Sequence, residues 1–311
     1  MHRNLSKVGW LRWGSVILGA TLVLAACSSA STSAPPTSPP ASASAAPASA
    51  VPSASGATGC VPAPTGLVTP GTLTIGVDLS GPPLHFVTPS NQPTGFDVDL
   101  AQALAAQMCL HVQYMNQSFA GLLPSLNANK FDALISGVGI TPQRAQAFSF
   151  IPYFLAGVQL VAASGSHLSF QSSSQLCGHS VATTAGSVEI ADLQAQSKAC
   201  PAGKAINILT YPTFTEALEQ LHKGTAQLAY VDWPVAAYAV AQSNGTLSLA
   251  SPVLTGAAGP RHRDGIAMRL NDTPMISAFT AALTRVEQNG TYASLLAKYH
   301  LQAGNILTAG G

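Results

Sequence analysis

The chain is short of charge: only 8% of its 311 residues are Asp, Glu, Lys or Arg, against roughly 25% in an ordinary soluble protein. Its 13 Lys+Arg and 12 Asp+Glu nearly balance, and no basic run is present, so counter-ion release has nothing to act on and nucleic acid is demoted as a partner. Beyond the N-terminus no apolar run approaches the roughly 20 residues that cross a bilayer. No Cys-x-x-Cys pair or His-rich spacing offers a zinc site. No Gly-x-Ser-x-Gly turn presents a nucleophile, and the 8 His are scattered, so no catalytic pairing is read from spacing. Neither a metal nor an organic cofactor is expected. What is present is a 47% hydrophobic chain, long enough for one two-lobed domain or two small ones.

The N-terminus has its own layout. His2, Arg3, Lys7 and Arg12 precede an apolar stretch over residues 16–24 that ends in Leu24-Ala25-Ala26-Cys27, the pattern of a secretory signal peptide over 1–26. The Leu-Ala-Ala-Cys end resembles the lipobox of bacterial lipoproteins, which implies that Cys27 is lipidated and becomes the new N-terminus. Without Arg3, Lys7 and Arg12 the chain keeps 10 Lys+Arg against 12 Asp+Glu, a net charge near −2. That charge attracts no anionic membrane, so lipid would be the anchor; at ~0.8 kcal/mol per buried CH₂ a single acyl chain is marginal and several are needed. Residues 28–58 are almost entirely Ala, Ser, Pro and Thr. They cannot build a core, and Pro35-Pro36 and Pro39-Pro40 bias them toward an extended tether of about 3.1 Å per residue.

Setting Cys27 aside, Cys60, Cys109, Cys177 and Cys200 remain, an even number in an exported chain. Three pairings are open. Cys60 with Cys109 and Cys177 with Cys200 is preferred, because each bridge then lies inside one lobe and leaves the lobes free to move.

The rest alternates strand-like and helix-like patterns. Leu73-Thr-Ile-Gly-Val reads as a buried strand ending at Asp78. Gly95-Phe-Asp-Val-Asp-Leu opens a helix with Leu100, Leu104 and Met108 on one face, and Asp97 and Asp99 suit its positive end. A strand at 111–114, a helix at 120–127, a strand at 131–138 and a helix from Pro142 continue the series. A second series follows, with strands at 180–183, 206–210 and 227–231 and helices at 215–222 and 233–241. The fold class is α/β, two-lobed, with mostly parallel sheets and a return segment over 249–269.

Two strand ends carry the chemistry. Residues 133–136 run into Gly137-Val-Gly139-Ile-Thr141-Pro142-Gln-Arg144, with Thr141 as N-cap and Pro142 at the first helical position. Arg144 in the first turn opposes the helix dipole unless a carboxylate binds there, when free N–H groups and a forked guanidinium converge on one anion. An Arg bridging to a surface neighbour is the alternative. The other end is Tyr230-Val-Asp232-Trp233-Pro234, where Asp232 either caps the next helix or faces a ligand. Ligands in open α/β sheets sit beyond the carboxyl ends of strands, so Arg144 and Asp232 suit the carboxylate and ammonium of an α-amino acid.

Taken in order, Gly95-Phe-Asp-Val-Asp-Leu, Ser118-Phe-Ala-Gly-Leu-Leu-Pro-Ser-Leu, Lys130-Phe-Asp-Ala, Gly139-Ile-Thr-Pro-Gln-Arg144, Phe148-Ser-Phe-Ile-Pro-Tyr153 and Gly290-Thr-Tyr-Ala-Ser-Leu-Leu-Ala-Lys-Tyr resemble the amino-acid-binding branch of bacterial extracellular solute-binding proteins. The likeness covers about residues 72–301. It implies a two-lobed periplasmic-binding-protein fold, with a discontinuous first lobe (59–160 plus 251–303), a second lobe (161–250), a tail (304–311), and hinges near 155–162 and 250–257. It implies Arg144 on the ligand carboxylate, Asp232 on the ammonium, contacts from Ser136, Gly137, Gly139, Thr141 and Thr184, an aromatic wall at Phe119, and Asp78 toward the ligand side chain. Phe119 reads equally as core, and Asp78 as a strand-end turn residue.

The chain also departs from the family pattern. Gly81 stands where an aromatic is common, Leu84 where Phe is usual, and Gly139 where a hydroxyl residue often serves; residues 184–188 lack the usual Gly-Thr spacing. Trp233 is a replacement wall or simply packs on the domain. A non-standard amino acid or derivative is therefore open, and a cationic side chain would suit Asp78 and Glu189. The expected function is a monomeric lipoprotein, not an enzyme, that passes an amino acid to an ABC permease. The rivals are a cyclohexadienyl-dehydratase-like enzyme, with Glu189 as the unassigned acid, and a sensor lobe.

Overall fold

The computed structural model describes residues 59–254 and 262–308. The signal peptide, Cys27 and the linker lie outside the described residues, as do 255–257 of the second expected hinge and 309–311 of the tail.

In the first lobe, β1 (Thr72–Val77) buries Leu73, Ile75 and Val77. A small hairpin of β2 (Phe86–Val87) and β3 (Pro93–Thr94) follows. Gly95, at φ 122°, starts α1 (Phe96–Gln107) so close to the Leu84 carbonyl that a Cβ would clash with backbone. Next come β4 (His111–Asn116), α2 (Phe119–Asn127), β5 (Ala133–Leu134), the single turn α3 (Pro142–Ala145) and β6 (Phe148–Leu155). The strand expected at 131–138 pairs over two residues only. Beyond Leu134 the backbone peels away because Gly137, at φ 59°, turns and gives its N–H to Asp97.

The second lobe contains β7 (Val158–Ala163), β8 (Ser180–Thr184), α4 (Val188–Ala199), β9 (Asn207–Tyr211), α5 (Phe214–Lys223), β10 (Leu228–Asp232), α6 (Trp233–Gln242) and β11 (Leu247–Leu249). The chain then returns to the first lobe as β12 (Arg263–Arg269), α7 (Thr273–Gln288) and α8 (Thr291–Lys298).

The sheets run β4-β1-β5-β12-β6 and β11-β7-β10-β8-β9. In each, the strand that enters from the other lobe, β12 or β7, is antiparallel to both its neighbours, and the other strands share one direction. The first crossing is at Ala156–Gly157, so residues 158–160 belong to the second sheet rather than the first. Each lobe has its own apolar centre, around Phe96, Tyr153 and Phe279 in one and Leu160, Val181 and Tyr230 in the other. Cys60 is bridged to Cys109 and Cys177 to Cys200, with Cα separations of 5.7 and 5.5 Å, so both bridges are internal to a lobe. Asp99 ties α1 to α8 through Lys298 Nζ at 2.6 Å and Tyr299 OH at 2.7 Å.

Candidate functional site

The C-terminal ends of the parallel strands of both lobes face one cleft, and the lobes touch across it. Thr215 Oγ1 donates to Ser80 O at 3.1 Å, and Phe214 meets Phe119 edge-on at 6.5 Å between ring centroids. Gly186, at φ 80°, lies so close to Ala120 that a Cβ would sit 2.9 Å from Ala120 Cα. The enclosed space is about 10 Å³, room for one water molecule. Phe119, Gly137, Gly139 and Arg144 line it from the first lobe; Ser187, Val188, Glu189, Phe214 and Asp232 line it from the second; His262 enters from the crossing segment.

Arg144 is set by its own helix start: Thr141 Oγ1 accepts the Arg144 N–H at 3.1 Å, and Pro142 holds the first turn. Its guanidinium donates to Gly139 O at 2.7 Å and, across the cleft, to Gly186 O at 2.9 Å. The Phe119 ring centroid is 6.0 Å from its Cζ. Burial lowers the Arg144 pKa, opposed by the charges of Glu189, Asp264 and Asp232. Two neutral carbonyls thus hold a cation that no ion pair engages among the described residues.

Asp232 occupies the N-cap position of α6 but makes no side-chain cap bond. Its Oδ1 is buried without a hydrogen-bond partner, so its carboxylate is not used up by the helix. Opposite stands His262, with Nε2 3.4 Å from Asp232 Oδ1 and 3.5 Å from Asp264 Oδ1. Burial alone would lower the His262 pKa, but Asp232, Asp264 and Glu189 outweigh it and push it up to about 9. Asp264 is fully buried with both oxygens unpartnered, and burial together with the Asp232 charge raises its pKa well above the usual carboxylate range. Glu189, 2% exposed with Oε1 unpartnered, is pushed up to about 7 by burial and by Asp232. Such a concentration of orphaned buried polar atoms is rare in native proteins, where nearly all are satisfied. Among the described residues no group of His, Cys, Asp and Glu could hold a metal ion.

The other residues named from sequence divide. Gly137 and Gly139 line the cleft, but the Gly137 N–H is taken by Asp97 Oδ2 at 3.0 Å and by Tyr153 OH at 3.2 Å. Asp97, beyond favouring the helix dipole, anchors this loop and also bonds His85 at 2.8 Å. Asp78 Oδ2 accepts the Phe119 N–H at 3.0 Å, and Ser136 Oγ accepts the Asp78 N–H at 3.0 Å, so both brace the site from beneath and are absent from the cavity wall. Burial raises the Asp78 pKa, with Ser80 opposing. Thr184 is fully buried, its Oγ1 without a hydrogen-bond partner. Trp233 stacks on Phe154 at 6.0 Å and donates to Leu155 O at 3.4 Å, so it packs against the first lobe and forms no part of the wall. The space left by Gly81 is taken by His85 and Phe214, which a Cβ there would strike. His262 and Asp264 were missed from sequence; their signal was Arg261-His-Arg-Asp264, a charged run in a charge-poor chain. Glu189, the acid left unassigned by sequence, is in the first turn of α4 and lies inside the cleft.

Comparison with known proteins gives the chain its family. Residues 73–302 match the family model of bacterial extracellular solute-binding proteins, family 3. An L-arginine-binding protein of Pseudomonas aeruginosa is 30% identical over 234 residues, covering 72% of this chain and 86% of its own length. An L-cystine-binding protein of Escherichia coli is 26% identical over 230 residues, 74% of this chain and 82% of its own. Among solved structures, an ancestral arginine-binding protein bound to arginine superposes with a TM-score of 0.67 at 28% identity, covering 74% of this chain and 98% of its own. An ancestral amino acid-binding protein described as a precursor of cyclohexadienyl dehydratase gives 0.63 at 29% identity, with 74% and 95% covered. With two lobes closing on an Arg and an Asp and a match over most of its length, the chain belongs to the bacterial extracellular solute-binding proteins, family 3.

Proposed function

We propose that the protein captures a free α-amino acid between its lobes and delivers it to an ABC importer. The observation that carries this reading is that Arg144 and Asp232 stand on opposite lobes at one cavity, each with its charge unspent on a salt bridge to the other. The ligand carboxylate would replace the carbonyls of Gly139 and Gly186 at the Arg144 guanidinium, a charge-assisted fork in place of two neutral bonds. The ligand ammonium would meet Asp232 Oδ1 in place of its 3.4 Å contact with His262. Because the two partners belong to different lobes, the full set of contacts exists only in the closed form, and the ligand shifts the open–closed equilibrium by that differential affinity.

The protein acts outside the cytoplasm, as its family does. Lipidation at Cys27, with residues 28–58 as tether, is the further step we propose for its attachment. One relative is named an ABC transporter arginine-binding protein of Escherichia coli, which supports the importer as partner; the monomeric state is part of the same proposal. Isothermal titration against the common amino acids tests the reading. Arg144→Ala or Asp232→Ala should weaken binding by about 2–5 kcal/mol, since each leaves a desolvated ligand charge unpaired; unaltered affinity in either would refute the zwitterion model. The buried Glu189 also fits a general acid, so loss of water from a prephenate-like acid, measured with the same preparation, would favour the dehydratase reading.

A further inference from the structure

As the lobes stand, the cavity between Arg144 and Asp232 holds no more than a water molecule. A second cavity of about 340 Å³ adjoins it on the hinge side. Val188, Glu189 and His262 line both spaces, so they form the neck between them. The walls beyond the neck come from Pro142 and Gln143 of α3, Val158 just after the crossing, and Ala191 and Tyr230.

The polar groups of the larger cavity are unequal. The Tyr230 hydroxyl donates to Asp192 Oδ2 at 2.7 Å, and Asp192 Oδ1 accepts from Gln196 at 3.3 Å, so that pair is satisfied. Glu189 is not: it is 2% exposed, and its Oε1 has no hydrogen-bond partner. An apolar chamber whose neck presents one unpartnered oxygen of Glu189, beside the His262–Asp232 pair, is suited to an aliphatic stem that carries a donor.

We infer that the hinge-side cavity receives the ligand side chain and that Glu189 at its neck selects side chains bearing a cation, such as a guanidinium or an ammonium on an aliphatic stem. This rests on the amino-acid reading above. Burial and Asp232 push the Glu189 carboxyl up to about 7 when nothing pairs with it; a cation beside it would draw it back toward the ionised form.

The test is isothermal titration of the purified protein with L-arginine, its neutral near-isostere L-citrulline, and L-alanine. A hydrogen bond to a charged group contributes about 1.5–3 kcal/mol, so arginine should bind about tenfold to a hundredfold tighter than citrulline. Glu189→Gln should bring that ratio to within about threefold. Ala191→Phe places bulk in the chamber from an exposed position on α4, and should lower the arginine-to-alanine affinity ratio by about tenfold or more. Citrulline binding as tightly as arginine, or ratios that survive both substitutions, would overturn the assignment while amino-acid binding itself stood. If none of the three ligands and no other amino acid bound, the amino-acid reading would fall first and this inference with it.

Discussion

Raising the pH should weaken the ligand-free protein from the acid side onward, the reverse of the usual rise in stability as carboxylates ionise. His262 titrates near 6.5 when unfolded and is pushed up to about 9 in the fold by Asp232 and its neighbours. A group whose folded pKa is raised contributes stability that is fully present below its unfolded value and lost as the pH climbs through the folded one. At about 1.36 kcal/mol per pH unit, the His262 contribution is on the order of 3 kcal/mol, lost between pH 6.5 and about 9. Glu189 has the same sign and an earlier window, from 4.5 to about 7, because burial favours its neutral form. Both limbs share Asp232 as neighbour, so the total falls short of their sum. Measured by urea denaturation at pH 5, 6.5, 8 and 9.5 without amino acids, the midpoint should fall by roughly 1 M or more across the series, given slopes of about 1–3 kcal/mol per molar. His262→Gln should flatten the limb above pH 6.5 and leave the lower one. A midpoint that holds steady or rises from 6.5 to 9 in the wild-type protein would refute the ion-pair description of His262.

Gly186→Ala should hold the lobes apart, since the new Cβ meets Ala120 backbone at 2.9 Å and the residue sits at φ 80°; ligand affinity should drop about tenfold or more, while the separate lobes keep their circular dichroism. Small-angle scattering showing full closure on ligand addition would contradict this. Asp97→Ala removes the acceptor of Gly137 N–H, Tyr153 OH and His85, a buried network whose loss should destabilise by about 3 kcal/mol and loosen the 135–139 loop, seen as faster amide exchange there. Cys177→Ser with Cys200→Ser should cost about 3 kcal/mol, and Cys60→Ser with Cys109→Ser slightly more, following loop lengths of 23 and 49 residues. Equal melting temperatures for the oxidised and reduced protein would rule out that contribution.

Much of this protein follows from short-range pattern. Alternating burial in β1, the glycine before α1, the Thr141-Pro142 helix start that sets Arg144, and Asp232 at a strand end are all local, because periodicity, capping and φ freedom act within a few residues. The two-lobe plan was legible for the same reason; the even cysteine count pointed to bridges, and the freedom of the lobes to move favoured keeping each bridge inside one lobe. Roles that depend on what comes to meet a side chain were not legible. Asp232 reads as a helix cap or a ligand residue until the fold shows that its side chain makes no cap bond and faces His262; Asp78 reads equally as a ligand contact or a turn residue until Phe119 N–H claims it; Trp233 reads as a wall or as packing until it stacks on Phe154. His262 with Asp264, Glu189, and Arg144 lie on three separate segments, and their charges acquire meaning only where the crossing strand, α3 and α4 converge in a buried cleft. There the low dielectric turns spacing into energy, and spacing between distant segments is a property of closure, not of any stretch of residues.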